Sequence, residues 1–221
     1  MTAADILESI SLIIAAWTVI LGVNAWRHEF IGKRRIELAE EVLALFYEAR
    51  DVISYIRSPF GYVAEGSSRK SSESESPEEK QIYDNAYVVM ERYNKNQELF
   101  NKIYSMRYRF MAQFGKEASV PFDDLRKIVN DIFISSRMLT RYWKDQGRRT
   151  WKTEAEFKKH LEEMHKYEAV FWEMSVDDDP IIPRVSAVIS NIEDRCNAII
   201  GKKTTLQRLW VWTSKLWHKE N

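Results

Sequence analysis

The side chains with which this 221-residue chain could do chemistry are few: four histidines, one cysteine and a run of aspartates. The segment Glu162-Glu163-Met164-His165 contains Glu-x-x-His. That spacing sets a carboxylate and an imidazole on one helix face, as in di-iron bundles, which need two such motifs and two further glutamates. His28, His160 and His218 have no glutamate three positions before them. His160 and His165 are five apart, about 140° around a helix, too far round to chelate easily together. The pattern reads as a solvated charged face, and neither a metal nor a cofactor is expected.

All-helical ribonucleases of the HEPN families place a histidine a few residues after an arginine. Here Arg149 precedes His160 by eleven, Arg208 precedes His218 by ten, and Arg27 touches His28 directly, so that motif is missing. Cys196 falls on an apolar helical stripe, where a thiol behaves as a small hydrophobe. Asp177-Asp178-Asp179 lacks the spaced oxygens and central glycine of a calcium loop and suits a cap for the helix that follows. No phosphate-cradling glycine loop occurs. With one cysteine no intrachain disulfide can form, which fits a reducing compartment. No nucleophile, metal set or acid–base pair assembles, so a catalytic bundle is the weakest functional expectation.

Two other features rise above the background. The tail at 202–221 combines Lys202, Lys203, Arg208 and Lys215 with Trp210, Trp212 and Trp217. Leu206, Leu209, Trp210, Thr213 and Trp217 share a helical face. This is the composition of an amphipathic helix at a lipid interface beside anionic headgroups; docking on the bundle accounts for it equally well. Ser11, Ala15, Thr18 and Gly22 recur at 4-3-4 spacing, the kind of small-residue row that lets helices pack closely in lipid. A lone span has no neighbour in its own chain for that face, so a homo-oligomer is expected.

The element that must position both features is the stretch Ile6–Arg57. Ser9–Trp26 is eighteen residues without a charge, about 27 Å of helix against a hydrocarbon core of ~30 Å. Asp5 and Glu8 precede it, and Arg27, Lys33, Arg34 and Arg35 follow. A signal peptide has the opposite start and a small-residue cleavage site. The expectation is therefore an uncleaved anchor in the inner or plasma membrane, single-pass, with the N-terminus outside and the rest cytoplasmic. Trp26 suits the interface. Beyond it, Leu38, Val42, Leu45, Ala49, Val52 and Ile56 form one stripe and Ile36, Ala39, Leu43, Phe46, Arg50 and Ile53 a second. Two adjacent stripes make the wide apolar face of a bundle helix.

Ser58-Pro59 ends that helix. The segment Ser67–Ser76 has six serines and no apolar residue, and reads as a flexible loop. Ser76-Pro77-Glu78-Glu79 carries a capping box and opens one helix to about Phe114, with Gly115 as its cap. A third helix opens at Pro121 and closes at Gly147. A fourth runs from Thr153 to about Met174, and a fifth from near Pro183 to Gly201. The organisation expected is a short extracytoplasmic start (1–8), a transmembrane helix (9–26), its cytoplasmic extension (27–57), a Ser/Glu-rich loop (58–77), a helical bundle (78–201) and the tail (202–221).

The expected fold is all-α, a single N-terminal transmembrane helix continuing into an antiparallel bundle of about five helices. Thirty-three basic and thirty-three acidic residues balance, which argues against a dedicated nucleic-acid binder. The expected function is a membrane-anchored cytoplasmic interaction or assembly module, non-enzymatic and self-associating, with a soluble protein partner. The alternative is an oligomeric effector that perturbs or perforates the bilayer. The architecture resembles, without any shared motif, small anchored accessory proteins of bacterial antiviral systems.

Overall fold

Local signals in the sequence start and stop most of the helices. The computed structural model describes residues 3–61, 65–148 and 151–201, with side chains from residue 11 onward except at 13, 147 and 148. Among the described residues six α-helices follow one another: α1 (Ala3–Arg57), α2 (Pro77–Lys95), α3 (Gln97–Phe114), α4 (Val120–Arg148), α5 (Glu154–Phe171) and α6 (Ile182–Ile200). A single 3-10 turn, Lys116–Ser119, joins α3 to α4. Among the described residues there is no strand, and the fold is all-α.

Ser76 caps α2 as its sequence implies: its hydroxyl accepts the Glu79 N–H at 3.2 Å, and the Glu79 carboxylate accepts the Ser76 N–H at 3.1 Å. Thr153 accepts the Glu156 N–H at 3.1 Å and opens α5. The single helix expected from Pro77 to Phe114 is two. Asn96 breaks it with φ −114°, outside the helical region, and its side-chain amide donates to the Arg92 carbonyl at 2.9 Å. Helix α5 stops at Phe171, three residues before the expected Met174, because Trp172 is extended.

Backbone packing divides the chain into two compact units, Val42–Arg195 and Met1–Glu41 together with the segment from Cys196. In Val42–Arg195, α4 is the common neighbour of α2, α3 and α5. Helices α2 and α4 run antiparallel, since Glu79 meets Lys144 at 2.8 Å and Ala86 O accepts from Ser136 Oγ at 2.6 Å. The core is aromatic: Phe46 meets Phe122 edge-on at 4.9 Å, and Phe122 meets Phe110 at 5.6 Å. From α1 this unit buries Val42, Leu45, Phe46, Ala49, Ile53 and Ile56, a face drawn from both expected stripes.

Within the stretch expected as a flexible loop at 58–77, residues 58–61 and 65–76 are non-helical and Pro77 already belongs to α2; from Gly66 on, charged groups hold the backbone. Arg69 meets Glu75 through two hydrogen bonds and Asp84 through a third at 3.1 Å. Glu91 accepts the Gly66 N–H and the Ser68 hydroxyl, both at 2.8 Å.

In the other unit, Leu12 and α1 from Ile14 to Ile31 are exposed, with Trp17 at 63% and Trp26 at 66%; Leu38, Ala39 and Cys196 are buried. Among the described residues no helix is long and apolar enough to cross a membrane, so the span expected at 9–26 is not met there. The side chains of Ser9, Ile10 and Ile13, within the expected span, lie outside the described residues.

Candidate functional site

The largest fully buried side chains are two arginines, Arg57 and Arg92, each 1% exposed. An isolated buried charge costs many kcal/mol, so such groups persist only when paired and hydrogen-bonded. Helix ends provide the partners, because the last four carbonyls of a helix have no intrahelical donor. Arg92, on α2, is aimed at the end of α1. Its Nη1 donates to the carbonyls of Tyr55 at 3.1 Å, Ile56 at 3.3 Å and Ser58 at 2.7 Å. Its Nη2 donates to the Phe60 carbonyl at 2.8 Å and to Glu65 Oε2 at 2.6 Å. Nε–H reaches Glu65 Oε1 at 3.3 Å.

Arg57 is the last residue of α1 and treats α5 the same way. It donates to the carbonyls of Ala169, Val170 and Trp172, each at 2.8 Å, and forms a two-pronged pair with Asp179 at 3.0 and 2.8 Å. The exchange is reciprocal, since the Arg57 carbonyl accepts the Glu173 N–H at 2.7 Å. Asp179 also accepts the N–H groups of Met174, Ile181 and Ile182 at 2.7–2.9 Å, which makes it the cap of α6 that the aspartate run suggested. Burial opposes the charge on Asp179, but its hydrogen bonds prevail and hold the carboxyl below its ordinary range.

Above the Arg92–Glu65 pair lies a cavity of about 510 Å³ walled by Trp143 of α4, Trp172 after α5, Ile82, Asn85 and Val88 of α2, and Pro59. Gly61 sits where the loop passes closest to the pair: a Cβ there would stand 2.5 Å from the Glu65 carboxylate and 3.0 Å from Arg92. Trp143 donates its indole N–H to Glu168 at 2.9 Å. Among the described residues the lining carries two ionisable side chains, Glu65 and Arg92, and these are paired with each other. All five N–H groups of Arg92 are spent on α1, Phe60 and Glu65, which leaves nothing to grip an incoming anion. The arrangement locks three helix ends, and Trp143 and Trp172 line the cavity beside it.

The residues singled out from sequence lie elsewhere. Glu163 pairs with Lys166 at 2.8 Å, and His165 stands 4.0 Å from Glu168 on an exposed face. His160 is buried between the rings of Tyr142 and Trp151, at 5.3 and 4.4 Å. Cys196 is fully buried, and burial pushes its thiol up to about 11, well clear of the thiolate chemistry of reactive cysteines. Ser11, Ala15, Thr18 and Gly22 are all exposed. Thr18 turns its hydroxyl back onto the carbonyls of Ile14 and Ala15, and a Cβ on Gly22 would meet nothing within 4 Å. The tail residues Lys202, Lys203, Arg208, Trp210, Trp212, Lys215 and Trp217 lie outside the described residues. Sequence reasoning missed Arg57 and Arg92. The available signal was an arginine in register with an apolar face: Arg57 four residues after Ile53, Arg92 three after Val89. No protein-family model, no curated protein and no solved structure matches this chain.

Proposed function

We propose that this chain is a membrane-anchored, non-enzymatic helical module that presents its bundle to a soluble protein partner. One observation carries the reading. Between Leu12 and Trp26 eight large apolar side chains are more than half exposed: Leu12, Ile14, Trp17, Val19, Ile20, Leu21, Val23 and Trp26. They spread over about two thirds of the helix circumference, and the remaining third carries the small residues Ser11, Ala15, Thr18 and Gly22. Single exposed apolar residues are ordinary, but so wide an exposed apolar face is covered in its working state, by protein or by lipid. The uncharged run extends to Ser9 in the sequence, and the basic residues after Trp26 favour the cytoplasmic side for the bundle. Arg92, with all five N–H groups engaged, and the Arg57–Asp179 junction support rigidity.

The test is extraction of the full chain from cell membranes at alkaline pH. The chain stays in the pellet, whereas Ile20→Lys/Leu21→Lys releases it, each lysine costing about 2.5–3.5 kcal/mol at the centre of a span. Recovery of the unaltered chain in the supernatant overturns the proposal. The exposed row Ser11, Ala15, Thr18 and Gly22 favours a second reading, an oligomeric effector that perturbs the bilayer. Release of dye from vesicles carrying the chain supports that reading, and dye retention supports the first.

A further inference from the structure

We propose that α1 carries, immediately after its apolar run, a binding site for anionic phospholipid headgroups formed by Trp26, Arg27, Phe30, Lys33 and Arg34. The inference rests on the anchored reading and adds the lipid class. These five residues recur at three- and four-residue spacing and share one face of the helix. Trp26 and Phe30 stack with ring centroids 5.9 Å apart, and the Arg34 guanidinium lies over the Phe30 ring at 4.5 Å. A weakly hydrated guanidinium held on an aromatic face is suited to headgroup depth, where the ring meets acyl chains and the cation meets phosphate. Arg27, Lys33 and Arg34 are exposed, in contrast to Arg57 and Arg92, whose donors are consumed inside the bundle.

Charge complementarity selects the occupant. From Arg27 to Arg35 the chain has four basic residues and one acidic, Glu29. Lys33 shares its charge only loosely with Glu37, at 3.9 Å with both side chains more than half exposed. A zwitterionic lipid surface gives such a cluster little to bind. A leaflet bearing phosphatidylglycerol or phosphatidylserine attracts each surface cation separately.

The full chain, reconstituted in vesicles of mixed phosphatidylglycerol and phosphatidylcholine, is floated, extracted in mild detergent, and its retained phospholipids are quantified. The expected result is phosphatidylglycerol enriched over the bulk ratio, about fivefold per engaged cation at low salt and less as salt rises. The triple change Arg27→Gln/Lys33→Gln/Arg34→Gln brings the retained lipids to the bulk ratio while the chain still floats. The charge-keeping Arg27→Lys/Arg34→Lys retains most of the enrichment. An unaltered chain that floats but returns lipids at the bulk ratio overturns the headgroup site and leaves the anchor standing. Enrichment that survives the triple change overturns it as well. A chain that does not float, or that is covered by its own copies in aqueous buffer, overturns both readings.

Discussion

Arg92 and Glu65 expose only 1% and 8% of their side-chain surface, and the worth of the pair depends on what is left when one member goes. Removing the guanidinium takes its donors from the carbonyls of Tyr55, Ile56, Ser58 and Phe60 and deprives the largely buried Glu65 carboxylate of its ion-pair partner. Breaking a buried pair in this way costs about 3–5 kcal/mol. Arg92→Met should lower the unfolding free energy obtained from urea titration by that amount. Arg92→Lys should recover little of it, because one ammonium cannot reproduce a planar fork of five donors; full recovery by lysine would show that charge alone matters. At the loop the carboxylates supply a pH dependence. Arg69 holds Glu75 down at about 2 through their hydrogen bonds, and Lys95, with Ser68 and Gly66, holds Glu91 at about 2. Both lie below the ordinary value of 4.5, so their contribution is complete above pH 4.5 and is lost as the pH falls toward 2. Hydrogen exchange of the amides of residues 66–76 should accelerate across that window. Arg69→Gln should bring the loss up toward pH 4.5, and an unchanged exchange profile in that variant would remove Arg69 from the account.

At the level of elements, what was legible was local. A capping box is four consecutive residues, so Ser76–Glu79 and the Thr153 cap could be read directly, and so could the wide face of α1 from Leu38 to Ile56. The break at Asn96 could not, because nothing in Lys95-Asn96-Gln97 forbids a helix; the departure is set by Asn96 bonding back to Arg92, itself fixed at the end of α1. The loop's order was hidden for a related reason. Ser67–Ser76 lacks apolar groups, and its restraints come from Asp84 and Glu91 on α2. Gly66 is where this restraint touches the backbone. Its φ is +85°, and a Cβ would stand 1.9 Å from the Asp84 carbonyl oxygen. The left-handed conformation alone costs a non-glycine residue about 1–2 kcal/mol, and the collision adds to it. Gly66→Ala should therefore destabilise by more than 1–2 kcal/mol or so and should loosen Ser68 from Glu91, visible as faster exchange confined to the loop. The same change at Gly22, where a Cβ meets open space, should leave the unfolding free energy within about 0.5 kcal/mol.

At the level of the whole molecule, the candidate site was the least legible part, because its contacts join distant stretches of chain. Arg57 meets Asp179 122 positions away, and Arg92 reaches back 37 positions to Tyr55. Periodicity places each arginine on a helix face but says nothing of which helix end it will cap. The all-α class and most helix positions needed no such knowledge, since each helix carries its own apolar stripe. This division between what is local and what is not leads to a last expectation. The side chains described between Leu12 and Ile31 bury little within the fold, so they contribute almost nothing to the free energy of folding, whereas Val42–Arg195 holds the aromatic core and both arginine junctions. Removing residues 1–32 should leave a chain that remains in the supernatant and unfolds in one cooperative urea transition. Its stability should lie within about 0.5 kcal/mol of the full chain in detergent, the range of surface changes. The truncated chain should also lose alkali-resistant membrane retention entirely. A broad or early transition would mean that the apolar end of α1 is part of the folded core, and the anchor would then have to be sought elsewhere in the chain.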